Sequence, residues 1–247
     1  MPLKRSHKIL MMSAVLIIAA VTFLFFSRKA QINPVTGTTQ HIALTPDQEI
    51  ILGIEAAPQL AIQFGGIYQN DDADKKVKTI GRKLVSSSDI AKSPYQFDFH
   101  VLADSHTVNA FALPGGQIFI TLGLYKKLKT DGEIASILSH QIGHVMGRHA
   151  SEKLFESSVF EGILNPDTIL VSDLPPRIIS KYLSDFIALD YNDKEENEAD
   201  QLGAGYAIRA GFRQDSFSKE FFIEENTSAK FNLLFQRHPN FSNKIGK

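Results

Sequence analysis

The sequence has no cysteine, which excludes disulfide frameworks, thiol nucleophiles, cysteine zinc sites and cysteine-linked lipids. It also has no surplus of charge, because 26 Lys and Arg oppose 27 Asp and Glu for a formal net charge of −1. That balance gives no electrostatic reason to expect nucleic-acid binding. No internal repeat is visible, so a solenoid is not expected. Any transition-metal site must be built from carboxylates and the 8 histidines.

Charged residues are missing from one long stretch near the N-terminus. Residues 9–26 form an uncharged apolar run of 18 residues with basic residues on both sides. As a helix rising about 1.5 Å per residue, this run just spans a thin hydrocarbon core. Phenylalanines and basic residues at 25–29 occupy the place of a small-residue cleavage site, so an uncleaved anchor is favoured over a cleaved secretory signal.

We therefore predict that residues 1–30 are a single-pass membrane anchor. Three basic residues precede the apolar run and two follow it, which is a weak bias towards a cytoplasmic N-terminus. The following domain is then expected on the periplasmic side of a bacterial inner membrane. Residues 31–44 contain Pro34 and Gly37 without a helical or strand period, which predicts a linker.

Residues 45–247 are expected to form one globular domain. Thr45, Pro46 and Gln48 form a capping-box pattern that predicts a helix to about residue 64, with a kink or break at Pro58. A second capping box opens a helix at Thr130. Periodicity predicts further helices over 72–85 and 193–211, and strands within 95–102 and on both sides of a Pro-Gly-Gly turn at 114–116. This order predicts an α+β fold, mainly helical with a small antiparallel sheet.

Two histidines lie one turn apart in the helix that begins at Thr130. At this spacing His140 and His144 project from one helix face, so both imidazoles can bind a single tetrahedral cation. The pair is weak evidence alone, because 8 histidines in such a chain produce this spacing by chance in about one chain in four.

The last predicted helix adds two carboxylates, again four residues apart. Glu196 is the third candidate ligand, since a catalytic zinc site needs three protein ligands and one open position. Asp200 can accept the second N–H of a ligating imidazole and so fix its tautomer. The alternative interpretation is an acidic helix N-terminus that complements the helix dipole.

Several motifs together resemble one family. They are Asn-Ala-Phe-Ala-Leu-Pro-Gly-Gly at 109–116, His-Gln-Ile-Gly-His at 140–144, Arg148-His149, and Glu-Asn-Glu-Ala-Asp at 196–200. The sequence from about Thr45 onwards is similar to the membrane-associated zinc metallopeptidases that include HtpX, the CAAX prenyl endopeptidases and the periplasmic BepA and LoiP types. The resemblance implies a zincin-like domain that acts on protein or peptide substrates.

The resemblance also implies roles for individual residues. It implies one Zn²⁺ per chain bound by His140, His144 and Glu196, with Asp200 as the partner of a histidine. It implies that His238, which precedes Pro239, lies near the metal and plugs or assists the site. It further implies that an extended substrate pairs with a strand made of Asn109, Ala110, Phe111, Ala112, Leu113 and Pro114.

The second position of the family's H-E-x-x-H motif is Gln141 in this chain. The family glutamate takes a proton from the attacking water and returns it to the leaving amine, and an amide has no basic oxygen for that task. Losing a positioned base usually costs about 10²–10⁴ in rate. Glu133 lies about 10 Å before His140 along the helix, too far to substitute. Milder departures are Asn192-Asp193, where relatives often have Ser-Arg, and Lys244, where they often have Arg.

The remaining histidines are given structural roles. His100 is predicted as an outward-facing strand residue, His106 as a surface loop residue, and His149 as a helix residue near the site.

Three functional hypotheses remain open from the sequence. The first is a membrane-anchored zinc metalloendopeptidase that acts on unfolded or misassembled envelope proteins and is weakened by Gln141. The second is a catalytically inactive zinc-binding relative that serves as a chaperone or assembly factor. The third is an active peptidase in which the glutamate was replaced to trap a complex. The complete ligand set favours the first, and Gln141 favours the second.

Overall fold

The computed structural model describes residues 30–42, 44–156, 175–188 and 190–212. Residues 1–29 of the predicted anchor, His238 and Lys244 lie outside these ranges, whereas Ala30, the last residue assigned to the anchor, begins a strand. Within the described ranges, no helix combines the length and the hydropathy needed to cross a membrane. The membrane anchor therefore stays a prediction.

The described chain is mainly helical, with five short strands. The strands are β1 Ala30–Ile32, β2 Thr39–His41, β3 Asp98–Leu102, β4 Ala110–Ala112 and β5 Gln117–Thr121. The helices are α1 Pro46–Gln63, α2 Asp71–Ser86, α3 Leu122–Tyr125, α4 Asp131–Gly147, α5 His149–Glu156, α6 Pro176–Ile187 and α7 Asp193–Arg209. Short 3₁₀ turns occupy Asp89–Lys92 and Pro114–Gly116.

The central sheet has three strands in the order β3-β5-β4, and it is mixed. Strand β4 pairs with β5 in the antiparallel sense, as the Pro-Gly-Gly turn between them predicts. Strand β3, however, pairs with β5 in the parallel sense, with Asp98 opposite Gln117. The prediction of a purely antiparallel sheet is therefore wrong. After β3 the chain forms β4 at the far edge of the sheet, and β5 then returns between β3 and β4, parallel to β3.

The sheet lies between two helical layers and buries both of its faces. Alternating side chains such as Val101 and Ile118 pack in one core with α2, α4 and α7. Phe111 and Phe119 point the other way and pack in a second core with α1, α5 and α6. This three-layer arrangement fixes α4, which carries both candidate histidine ligands, directly against one face of the sheet.

The segment predicted as a linker contains a β-hairpin that contacts the domain. Strands β1 and β2 pair in the antiparallel sense, with Gln31 opposite Gln40. The Asn33 amide donates to the Met146 carbonyl at 2.9 Å, and the Gln40 amide donates to the Gly147 carbonyl. The hairpin thus satisfies carbonyl groups at the C-terminal end of α4, which have no partner within the helix. Residues 31–44 are therefore not a structureless tether.

Both predicted capping boxes are confirmed, and of the kink or break predicted at Pro58 the break does not occur. The Thr45 side chain accepts from the Gln48 backbone N–H, and the Gln48 side chain accepts from the Thr45 backbone N–H, which opens α1 as predicted. Thr130 and Glu133 open α4 in the same way. Helix α1 continues to Gln63 through Pro58, so the proline does not end it. The second half of α1 is held by buried residues in the second core, which offsets the lost helical hydrogen bond.

Helices α4 and α7 pack closely against each other at two glycines, Gly143 and Gly203. A β-carbon added at Gly143 would lie 2.4 Å from the Ala199 carbonyl oxygen, and one added at Gly203 would lie 2.8 Å from the Ser139 carbonyl oxygen. Real β-carbons do not approach backbone atoms so closely. The two glycines therefore set the distance between the helix with the histidines and the helix with Glu196.

We predict that Gly143→Ala lowers the free energy of unfolding by about 1–3 kcal/mol, because overpacking pushes the two helices apart. The matched control is Gly205→Ala in α7, where the nearest atom to the new β-carbon is a flexible Arg209 side chain at 3.5 Å. That control is expected to raise stability by about 0.5–1 kcal/mol through the better helix propensity of alanine. Urea unfolding followed by circular dichroism measures both, and equal changes in the two variants would contradict the account.

Candidate metal centre

Three buried side chains from α4 and α7 place one ligand atom each around a common point. His140 and His144 come from successive turns of α4, and Glu196 lies in the first turn of α7. The two histidine Nε2 atoms are 2.9 Å apart. Glu196 lies 3.2 Å from His144 Nε2 through one oxygen and 3.8 Å from His140 Nε2 through the other. The structure thus brings together all three residues predicted as ligands.

The spacing of these atoms suits a tetrahedral zinc ion. Ligand atoms about 2.0–2.1 Å from a tetrahedral centre are separated from one another by roughly 3.3 Å. The two Nε2 atoms are 2.9 Å apart, and their distances of 3.2 and 3.8 Å to the two different Glu196 oxygens lie on either side of that value. Two nitrogens and one carboxylate are also the ligand types that catalytic zinc sites use, with a fourth position open.

The burial of Glu196 disfavours its ionised form unless a cation lies beside it. Glu196 is fully buried, and both histidines are almost fully buried. The pKa of Glu196 is raised to about 8, mainly by burial. The nearby His140 opposes this shift, and the Asp200 carboxylate adds to it. A buried carboxylate is stabilised as an anion by a cation or neutralised by a proton. A divalent metal would take the place of that proton.

Each of the two candidate ligand histidines has an outer hydrogen-bond partner. His140 Nδ1 lies 3.0 Å from Asp200 Oδ1, so Asp200 contacts one of the two candidate ligand histidines. His144 Nδ1 lies 2.9 Å from His149 Nδ1, and His149 Nε2 lies 3.0 Å from Glu198. The hydrogen bond from His149 lowers the pKa of the Glu198 carboxyl. His149 was predicted to lie near the site, whereas Glu198 was not singled out from the sequence.

The segment before α7 contributes an aromatic wall and a helix cap. The Tyr191 ring stacks on the His144 ring, with centroids 4.1 Å apart and planes at 22°. The Asn192 side chain accepts hydrogen bonds from the backbone N–H groups of Lys194 and Glu195, and the Glu195 carboxylate accepts one from the Asn192 backbone N–H. Asn192 therefore caps α7 in a position where the resemblance expects serine, another residue that favours this role.

Gln141 and Glu133 lie on the same helix but in different surroundings. Gln141 is buried beside His140 in α4. Glu133 is at the helix start, where its carboxylate accepts from the Thr130 backbone N–H at 3.1 Å. The Glu133 carboxylate is thus part of the helix cap, which agrees with the expectation that Glu133 does not replace the missing base.

The predicted substrate strand corresponds to β4 and its flanks. Within the described residues β4 pairs with β5 alone, so β4 forms an edge of the sheet. Bonds from Thr121 N–H to the Asn109 carbonyl and from Leu113 N–H to the Gln117 carbonyl fix the ladder. In an antiparallel ladder the alternate residues, Ala110 and Ala112, direct their backbone groups away from β5.

His100 and His106 do not belong to the metal cluster. His106 is an exposed loop residue whose N–H donates to Asp104, as predicted. His100 is partly buried, contacts Asp98 at 3.3 Å and stacks on Phe119. Burial lowers the pKa of His100.

A buried ion pair beside the cluster was missed at the sequence level. The Arg148 guanidinium donates to Glu49 at 3.1 Å, to Gln31 at 2.8 Å and to the Leu44 carbonyl at 2.8 Å. Tyr95 donates to the same Glu49 carboxylate at 2.7 Å. Burial raises the pKa of Glu49, while Arg148 opposes that shift. The group joins the N-terminal hairpin and α1 to the end of α4.

Comparison with known proteins now assigns the family. The model of peptidase family M48 matches residues 71–247, which include every residue of the metal cluster. The chain belongs to peptidase family M48. The M48 match covers the helix-sheet unit from α2 onwards, whereas the hairpin and α1 precede it.

Curated relatives agree with the M48 assignment. The chain is 27% identical over 190 residues to the beta-barrel assembly-enhancing protease of Yersinia pestis, which covers 72% of this chain and 38% of that relative. It is 33% identical over 105 residues to the mitochondrial metalloendopeptidase OMA1 of Arabidopsis thaliana, covering 42% of this chain and 21% of that relative. The Saccharomyces cerevisiae protein of the same name is 25% identical over 234 residues, covering 90% of this chain and 64% of the relative. The chain thus spans about two fifths of the length of the bacterial relative.

Proposed function

We propose that this M48 protein is a membrane-anchored zinc metalloendopeptidase that acts slowly on unfolded or misassembled envelope proteins. The observation that carries the proposal is the buried cluster of His140, His144 and Glu196, with an outer hydrogen-bond partner for each histidine. A protein without use for a metal has no physical reason to bury these groups face to face.

In this proposal the side chains of the protein bind the metal ion and orient a water molecule, and the bound metal would activate that water. His140 and His144 present Nε2 to the ion, and Glu196 supplies the third ligand and the negative charge. A bound zinc ion acts as a Lewis acid and lowers the pKa of a water molecule towards 7. Gln141 can orient a water through its amide but cannot accept its proton. Peptide hydrolysis is therefore expected to be slow.

The outer edge of β4 is the proposed substrate-binding strand. The backbone groups of Ala112 point away from β5, and we propose that an extended peptide pairs with them once the residues that bury Ala112 move aside. The Asn109 side chain accepts the Ala110 N–H at 2.8 Å, and its buried Nδ2 has no hydrogen-bond partner among the described residues. A substrate carbonyl would satisfy this donor, whose burial alone costs about 1–3 kcal/mol.

The proposal also covers the class of substrate proteins and the location of the protein in the cell. The name of the Yersinia pestis relative refers to assembly of beta-barrels, and beta-barrels are built in bacterial outer membranes. The apolar run at residues 9–26 supports a single-pass anchor in a bacterial inner membrane, with the peptidase domain in the periplasm. His238 is proposed to lie near the metal, as the resemblance implies.

The test is cleavage of an unfolded protein by the full chain purified in detergent and loaded with zinc. We expect slow cleavage that stops when a chelator is added and resumes when zinc is restored. Glu196→Ala, which removes a ligand, is the matched negative control. Cleavage that is unaffected by the chelator, or that persists in Glu196→Ala, would contradict the proposal.

A second candidate function is a zinc-binding chaperone or assembly factor without turnover, and Gln141 is the observation that favours it. In that case the zinc-loaded chain binds the unfolded protein and keeps it soluble, yet leaves it uncut. Binding that depends on the β4 edge, without cleavage after long incubation, would favour this function over the peptidase. A replacement of glutamate made to trap a complex predicts the same result.

A further inference from the structure

The outer partners of the two histidine ligands differ in kind. His140 contacts a carboxylate directly, through Asp200 at 3.0 Å. His144 instead contacts a second imidazole, His149, which in turn contacts Glu198. His149 is fully buried, and Glu198 is half-buried. A chain of three groups therefore leads from the metal cluster to the edge of the molecule.

The directions of the hydrogen bonds that link His144, His149 and Glu198 follow from the outermost group, the Glu198 carboxylate. An ionised carboxylate only accepts, so Glu198 must receive the Nε2–H of His149. A neutral His149 then has a lone pair on Nδ1, which accepts the Nδ1–H of His144 at 2.9 Å. His144 in that tautomer has its lone pair on Nε2, the atom that faces His140 and Glu196.

Backbone geometry places His149 where this contact is possible. Arg148 ends α4 in the left-handed region, with φ 58° and ψ 27°, and His149 begins the next helix immediately. This reversal turns the His149 imidazole back under α4. A β-carbon at Gly147 would lie 2.4 Å from His149 Nε2, so glycine leaves the space that the ring occupies.

We propose that His149 and Glu198 are positioning residues that hold His144 in the metal-binding tautomer and ring orientation. The inference rests on the proposed function, because it assumes that His144 binds zinc. His149 and Glu198 support His144 in the way that Asp200 supports His140. Tyr191, stacked on the His144 ring, restricts the same ring from its face. Outer partners of this kind typically contribute 10–100-fold to metal affinity.

The experiment measures zinc affinity by competition with a chromophoric chelator, together with the visible spectrum of the cobalt-loaded full chain. We expect His149→Phe to raise the zinc Kd by about 10–100-fold and to change the cobalt spectrum. Glu198→Leu is expected to weaken zinc binding in the same direction. Glu198→Gln should restore most of the affinity, because its amide oxygen can still accept from His149 Nε2–H.

The control is His100→Phe, which removes another imidazole, one that is partly buried and does not belong to the metal cluster. This variant should leave the zinc Kd and the cobalt spectrum unchanged. Urea unfolding of the metal-free variants separates lost packing from lost metal affinity. Should His149→Phe not fold, the half-buried Glu198 variants decide the matter.

Two negative outcomes have different meanings. If the unaltered chain binds neither zinc nor cobalt, the proposed function itself fails. If the unaltered chain binds zinc while Glu198→Leu, and His149→Phe where it folds, have an unchanged Kd and cobalt spectrum, only the positioning roles are overturned. An equal loss in Glu198→Gln and Glu198→Leu would also overturn the tautomer argument.

Discussion

Gln141→Glu is expected to raise the rate of chelator-sensitive proteolysis by about 10²–10⁴, the usual contribution of a positioned general base. The position is buried next to His140, on the helix that carries both candidate histidine ligands. A carboxylate there can accept a proton, which the amide cannot do. The measurement is the initial rate of cleavage of an unfolded protein by the zinc-loaded full chain.

The controls for this experiment separate basicity from packing. Gln141→Ala removes the amide without supplying a base, so it should give no increase in rate. Zinc content should be the same for Gln141→Glu and the unaltered chain, since the three ligands are untouched. Equal rates for Gln141→Glu and the unaltered chain would mean that another group moves the proton.

Arg148→Ala is expected to lower the free energy of unfolding by about 3–5 kcal/mol, because it leaves the buried Glu49 carboxylate without its charged partner. The same change removes the hydrogen bonds to Gln31 and to the Leu44 carbonyl, which tie the N-terminal hairpin region to the end of α4. The chain has no tryptophan, so urea unfolding is followed by circular dichroism.

A surface ion pair provides the matched control for Arg148→Ala. Lys76 and Asp131 lie 2.9 Å apart with 44% and 60% of their side chains exposed. Exposed pairs contribute about 0–1 kcal/mol, so Lys76→Ala should have a small effect. If Arg148→Ala destabilises the protein no more than Lys76→Ala does, the buried pair does not hold the hairpin and α1 to the domain.

Local signals in the sequence predicted the helices that carry the site. The capping boxes at Thr45 and Thr130 depend on residues three positions apart, so the sequence alone locates both helix starts. The ligand pair His140 and His144 is likewise local, since four residues are one helical turn. Placing Glu196 opposite them required the family resemblance or the fold, because it lies on another helix.

Features that depend on distant contacts could not be predicted in this way. The parallel pairing of β3 with β5 depends on which strands meet in space, which alternation within a strand does not reveal. The hairpin at 30–41 is polar and has no clear period, and contacts such as Asn33 with Met146, 113 positions apart, join it to α4. The contact of His149 with His144 depends on the left-handed conformation of Arg148, which is uncommon for a residue other than glycine.

The zinc content of the purified full chain tests the central claim most directly. Zinc is measured by elemental analysis after dialysis against a weak chelator, for the unaltered chain, Gln141→Glu and each of the variants His140→Ala, His144→Ala and Glu196→Ala. The account predicts about one zinc ion per chain in the first two and strongly reduced zinc in the three ligand variants. No zinc in the unaltered chain, or equal zinc in all five proteins, would contradict it.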